Sequence, residues 1–162
     1  MTPERLQRIS QMLDARQPEL TVCMEGVHKT HNLAAVVRSC DAVGISDVVH
    51  NYNKTVDAIS ELKRQNMQIL VTNLSVTAVD FREIDYTKPT AIILGQEKFG
   101  ASKEALELAD QDIIIPMVGM VQSLNVSVAC SVTLYEAQRQ RQLAGMYEQP
   151  RISEARRQQV LF

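Results

Sequence analysis

Three short segments of this chain combine residue types that can hold and polarise a ligand. Ile113-Ile-Ile-Pro-Met-Val-Gly-Met-Val-Gln-Ser-Leu-Asn-Val-Ser127 opens with three isoleucines, the composition of a buried strand. Pro116 ends it, because proline cannot donate to a sheet ladder. A glycine-bearing loop follows, and Ser123 and Asn125 lead into an apolar-periodic run, where Ser and Asn suit the capping of unpaired helix N–H groups. A loop held between a buried strand and a capped helix offers backbone donors to whatever lies above it. Leu94-Gly-Gln-Glu-Lys-Phe-Gly100 follows the strand-like Thr90-Ala-Ile-Ile-Leu94 and brings a carboxylate, Glu97, to the same kind of position. His31-Asn-Leu-Ala-Ala-Val-Val-Arg38 adds an amide, Asn32, and a guanidinium, Arg38.

Each segment also admits other chemistries. Gly95 and Gly100 have the glycine spacing of a phosphate-cradling loop, but Ala101 stands where the lysine that meets the β/γ-phosphates belongs. A nucleoside triphosphatase is therefore disfavoured. A sharp strand-to-helix turn that carries Glu97 to the carboxyl edge of a sheet fits better, since ligands of open α/β sheets bind there. On these residues alone an ordinary loop with a solvated Glu97–Lys98 pair stays open. His28 and His31 stand three apart, yet no third ligand is suitably spaced, so no metal is expected. Lys29 between them suits contact with phosphate. Asn32 and Arg38 are six apart and do not face each other on a helix. A helix cap and a surface arginine explain them as well as a catalytic pair does.

The elements that must position these groups are read from periodicity. Thr2 caps a helix with Pro3 at its first position, where the missing N–H costs nothing, and Leu6, Ile9 and Leu13 recur at helical spacing. Leu20 to Glu25 is a strand. After His31, Leu33, Val36, Val37 and Cys40 share a helical face that Gly44 ends. Ile45 to Val49 reads as a strand, Thr55 to Asn66 as a helix and Met67 to Thr72 as a strand; residues 80–85 are ambiguous. A strand at 90–94, a helix opened near Ser102, a strand at 112–115 and a helix over 126–143 complete an alternation. In the last helix Val128, Val132 and Tyr135 are expected to pack inward. The pattern predicts an α/β fold, a parallel sheet with helices on both faces.

Length and composition narrow the class. The 162 residues suffice for one domain with a real core, and 45% hydrophobic with 22% charged content is that of an ordinary soluble globular protein. Apolar runs are strand-sized, so no membrane span is expected, and the N-terminus lacks an apolar signal region. Cys23, Cys40 and Cys130 are odd in number and free of C-x-x-C spacing, which suits reduced thiols and a cytoplasmic location. The net charge of −2 argues against an all-basic surface, but five arginines (139, 141, 151, 156, 157) face two acids over 139–157. With Arg5, Arg8 and Arg16 of the first helix they predict an RNA-binding rim or, equally, solvated faces.

In family order and in matching strand–loop–helix contexts, the three segments resemble the motifs of the SPOUT class of RNA methyltransferases, in its SpoU/TrmH branch, over about Thr2 to Tyr147. The resemblance implies a C-terminal deep trefoil knot; nothing in periodicity reveals one. It implies S-adenosyl-L-methionine as cofactor, tRNA as substrate and a homodimer, with transfer of a methyl group to a ribose 2′-hydroxyl, that of a D-loop guanosine. Thr72, Leu94, Gly95, Ile115, Met117, Ser123 and Leu124 would surround the cofactor, and valine at Gly95 would fill that pocket and leave the fold. Arg38, Asn32, Glu97, Ser123 and Asn125 would serve catalysis; Arg5, Arg8, Arg16, Lys29, Arg139 and Arg141 would meet RNA. A neutral guanidine at pH 7 costs roughly 7 kcal/mol, so a clamp on phosphate and developing alkoxide is as sound physically for Arg38 as a proton acceptor. Residues 1–147 form the methyltransferase domain, and 148–162 a helical extension that stops in mid-pattern. An RNA-binding protein with little catalysis, or an rRNA 2′-O-methyltransferase, is the alternative. The family pattern also has a further strand and loop after His50, so a break in the chain is expected between His50 and Asn51.

Overall fold

A computed structural model describes residues 1–51 and 55–161. The elements run α1 (Pro3–Asp14), β1 (Leu20–Glu25), α2 (Thr30–Ala42), β2 (Val48–Asn51), α3 (Thr55–Arg64), β3 (Gln68–Thr72), β4 (Val79–Asp80), β5 (Thr90–Leu94), α4 (Lys103–Leu108), β6 (Gln111–Ile114), α5 (Val126–Leu143) and α6 (Glu154–Leu161). Among the described residues six strands form one sheet in the order β2-β1-β5-β3-β6-β4. Every pairing is parallel.

Alternation along the central strands feeds two cores. Val22, Met24, Leu70, Ile92 and Leu94 enter one, with Val36 and Cys40 of α2 and Cys130, Leu134 and Ala137 of α5. Cys23, Ile69, Val71, Ala91 and Ile93 enter the other, with Ile59 and Leu62 of α3 and Ala105 of α4. Helices thus cover both faces as expected, which is why β1 and β5 read as unbroken apolar runs. Each fully buried aliphatic side chain contributes about 1.5–3 kcal/mol, so this sheet is a stiff platform.

Most boundaries fall where periodicity puts them. β2 is displaced from the expected 45–49 because Ile45 N donates to Cys40 O at 2.9 Å, closing the end of α2 and delaying the strand to Val48. The polar stretch from residue 80 becomes β4 and a 3₁₀ turn, Phe81–Glu83, that Asp80 caps through Arg82 N at 2.9 Å. No break separates His50 from Asn51: both belong to β2, in register with Met24 and Glu25 of β1.

Two further expectations are corrected. Val128, Val132 and Tyr135 are not core; they stand exposed, and the buried stripe of α5 is Val126, Cys130, Leu134, Ala137 and Arg141. Arg16 and Arg141 are internal rather than rim residues. Arg141 is fully buried and donates to the carbonyls of Tyr86 (2.9 Å), Glu19 (3.2 Å) and Lys88 (3.1 Å) and to Gln17 Oε1 (3.1 Å). Arg16 donates to Ile45 O at 2.8 Å and Asp41 at 2.7 Å. A planar fork with five donors can satisfy several loop carbonyls at once, and that use takes both guanidiniums away from solvent.

Candidate functional site

The three chemistry-bearing segments meet at the carboxyl edge of the sheet. Asn32 is buried in the first turn of α2, a helix whose N-cap, Lys29, makes no side-chain capping bond. It is therefore not the cap; its Nδ2 donates across the site to Glu97 Oε1 at 2.8 Å. Asn125 caps α5, its Oδ1 accepting from Ser127 N at 2.9 Å. That bond aims Asn125 Nδ2 at Glu97 Oε1 (3.0 Å) and at Asn32 Oδ1 (3.3 Å). Lys29 Nζ closes the set, 2.6 Å from Glu97 Oε2. One carboxylate thus ties together groups 65 and 28 residues away in sequence. The ammonium of Lys29, and then the amide of Asn32, hold Glu97 below the usual carboxylate range.

The loop that carries Glu97 is fastened at both ends. Gln96 N donates to Gly100 O at 2.9 Å and Gly100 N to Gln96 O at 2.8 Å. Beyond it Ser102 caps α4 and gives its hydroxyl to Glu25 Oε2 at 2.8 Å. Gly95 is required by this closure. A Cβ there would lie 2.7 Å from Ala101 Cα and nearer still to the Gly100 carbonyl carbon and the Ala101 nitrogen. A valine at Gly95 therefore strikes backbone, and the expectation that it would fill the pocket without disturbing the loop is corrected.

Beside Glu97 opens a cavity of about 480 Å³. Thr72, Gly95, Ile115, Met117, Ser123 and Leu124, six of the seven residues expected around a cofactor, line it. Leu94 does not; it is wholly inside the core below. Periodicity did not mark Asn73, Leu74 or Gln122, which also line it. Asn73 and Leu74 directly follow β3, so the rule that ligands sit past the carboxyl ends of strands was the available signal. Asp112 braces that wall, accepting from Ser75 at 2.8 Å and Thr77 at 3.2 Å. The size and the mixture of strand ends, backbone and a few polar side chains suit a nucleoside-sized cofactor. Among the described residues no group of three or more His, Cys, Asp or Glu could hold a metal ion, and no helix is long and apolar enough to cross a membrane.

Arg38 stands apart from this cluster. Six residues along α2 place it about 9 Å and some 120° around the helix from Asn32. It is exposed, off the cavity wall, and bonded to none of the described residues. Of the residues expected to meet RNA, Arg5 and Arg8 lie on the exposed face of α1, and Arg139 is exposed but paired with Glu136 at 2.8 Å.

An α/β platform with a cofactor-sized cavity and a carboxylate–amide cluster at its carboxyl edge defines a ligand-binding enzyme domain. Residues 47–135 match the SpoU rRNA Methylase family and residues 139–162 its C-terminal segment (SpoU, rRNA methylase, C-terminal). The chain belongs to the SpoU methylase family. It is 54% identical to the tRNA (guanosine(18)-2′-O)-methyltransferase of Escherichia coli strain K12, covering 100% of this chain and 82% of that protein. That alignment spans 188 positions, so at least 26 of them (188 less 162) have no counterpart here. The crystal structure of the Aquifex aeolicus TrmH/SpoU tRNA modifying enzyme superposes with a TM-score of 0.91 at 42% identity, over 98% of this chain and 93% of that one. An AdoMet-bound rRNA methyltransferase from Sinorhizobium meliloti follows at 0.66 and 25% identity, over 76% and 60%.

Proposed function

We propose that this chain transfers a methyl group from S-adenosyl-L-methionine to the ribose 2′-hydroxyl of guanosine 18 in tRNA. The observation that carries this is the convergence of Asn32, Asn125 and Lys29 on Glu97 at the mouth of the cavity. Thr72, Gly95, Ile115, Met117, Ser123 and Leu124 would hold the cofactor, which supplies an activated methyl group on sulfonium sulfur. Glu97, fixed by three donors, keeps the cavity mouth rigid. Such fixing matters because methyl transfer needs donor carbon and acceptor oxygen aligned at about 3–3.5 Å. Arg38 stabilises the developing alkoxide or the neighbouring phosphate.

The same reading includes a homodimer and a trefoil knot. Support for the dimer is the exposed apolar face of Val37, Val128, Val132 and Tyr135 on the packed helices α2 and α5. Arg38 follows Val37 of that face and does not line its own chain's cavity, so a second copy docked there would bring it to the neighbouring site. Support for the knot is the return of α5 onto α2 after β6 has entered the sheet between β3 and β4. Residues 1–147 form the catalytic domain, with 148–162 an extension whose α6 meets α1 through Arg157, Asp14 and Ser10. The positions without counterpart favour one competing reading, RNA binding with little turnover.

Both are tested by incubating the protein with unmodified tRNA and labelled cofactor, then identifying the nucleoside. The expected product is 2′-O-methylguanosine in the D-loop, lost in Arg38→Ala while S-adenosylhomocysteine affinity stays within about twofold. RNA binding without methyl transfer would replace the proposal by the competing reading.

A further inference from the structure

Gln96 lies at the meeting point of the cofactor cavity and two others. One, of about 390 Å³, is bounded by Gly26, His28, Lys29, Glu97 and Lys98. The other, of about 480 Å³, carries Glu25, Asp57 and Glu104 on its walls. Methyl transfer is an in-line displacement, so the acceptor must enter from a space that adjoins the cofactor cavity. Both neighbours meet that condition through Gln96, and charge separates them. Lys29 and Lys98 against the single carboxylate of Glu97 leave the first net positive, which favours a nucleotide of a polyanion. Three carboxylates oppose it at the second.

Gln96 itself is half-buried, its backbone fixed by the paired bonds to Gly100, and no described residue engages its side-chain amide. The amide is nonetheless placed. Gly26, at φ +66°, leaves room that a Cβ would take away, since such an atom would lie 2.6 Å from Gln96 Cγ. A held amide with both donor and acceptor unspent is the kind of group that reads the edge of an unstacked base.

Resting on the methyl-transfer reading, the geometry points to the cavity between residues 26–29 and 96–98 as the acceptor nucleoside's pocket, with Gln96 as a specificity-determining residue that hydrogen-bonds the target purine. Lys29 and Lys98 flank the entrance and attract its phosphates. Because the Lys29 ammonium also pairs with Glu97, arrival of the nucleotide is felt at the carboxylate that organises the cofactor side.

The test uses the full chain and tRNA transcripts carrying guanosine or inosine, which lacks the 2-amino group, at the methylated position. Gln96→Met keeps the bulk over Gly26 and removes the hydrogen bonds; Gln96→Ala removes both. Single-turnover kcat/KM should fall at least tenfold in Gln96→Met with guanosine, and the preference for guanosine over inosine should shrink toward unity. Because Gln96 also lines the cofactor cavity, S-adenosylhomocysteine affinity serves only as the reference, and it should fall by clearly less than the rate in both variants. Unchanged rate and preference in Gln96→Met would overturn the assignment, as would a loss of cofactor affinity that parallels the loss of rate. A wild-type chain that methylates neither transcript removes the methyl-transfer reading and this pocket with it, whereas an active wild type with indifferent variants removes the pocket alone.

Discussion

Replacing Gly95 by alanine should damage both stability and cofactor binding, although it adds one carbon. The new Cβ would stand 2.7 Å from Ala101 Cα, where ordinary contact begins at 3.4 Å, so the loop must yield by at least 0.7 Å (3.4 less 2.7). The atoms in the way are backbone and cannot rotate aside. Overpacking of this kind costs about 1–3 kcal/mol, and weakening one of the two Gln96–Gly100 hydrogen bonds adds about 1 kcal/mol. A net loss of about 3 kcal/mol corresponds to a Tm lowered by roughly 6–12 °C in a domain of this size. Gly95, Gln96 and Glu97 all line the cofactor cavity, so the same displacement spreads its wall. S-adenosylhomocysteine affinity should fall at least tenfold, about 1.4 kcal/mol. Thermal melts by circular dichroism and calorimetric titration measure the two effects. Gly119→Ala is the control, because nothing lies within 4 Å of a Cβ there. A Gly95→Ala protein with unchanged Tm and affinity would falsify the claim that this glycine closes the loop.

Two other outcomes follow from buried or paired charges. Arg141→Ala should lower stability by about 3–5 kcal/mol, because Gln17 Oε1 and the carbonyls of Tyr86, Glu19 and Lys88 lose their donor inside the protein. Denaturant melts check this, and a loss below 1 kcal/mol would return Arg141 to the surface. Glu97 is held below its ordinary pKa of 4.5 by Lys29 and Asn32, so its stabilisation is complete above that value and disappears as pH falls through the lowered one. The gap in urea midpoint between wild type and Glu97→Gln should be flat from pH 7 to 5 and shrink below 4.5; shrinkage already between pH 7 and 6 would contradict that ion pair.

The fold was legible because its signal is local. β1, β5 and α5 coincide with their apolar runs, and the alternation of strands and helices suffices for a parallel sheet. Strand order is different, since it depends on which parallel edges meet, and no residue pattern in β6 announces that it lies between β3 and β4. The site was legible in membership and not in wiring. Asn125 caps its helix as its type suggests, yet Asn32, of the same type, leaves the cap to Lys29 and reaches for Glu97. Both amides have that option in sequence, and only the approach of the 95–100 loop decides between them. Val128, Val132 and Tyr135 show the same limit: helical spacing defines a stripe, but an exposed apolar stripe looks in sequence like one facing the core.

Charge is where composition misleads most, and pairing explains why. Arg16 and Arg141 serve the interior, and Arg139, Arg151 and Arg156 each face a carboxylate, from Glu136, Glu19 and Asp47. Exposed ion pairs of this sort contribute little stability, and they also lend little net positive potential to a polyanion. A chain of net charge −2 that works on RNA must then concentrate its useful cations. Arg5 and Arg8 on α1, Arg38 on α2, and Lys98 at the mouth of the site are the positions that meet this condition, since Lys29 is paired with Glu97. They are spread along one chain rather than gathered in a patch, so two copies arranged about the α2–α5 face would double the cations available to one RNA. Affinity for tRNA should accordingly depend on assembly as well as on any single arginine.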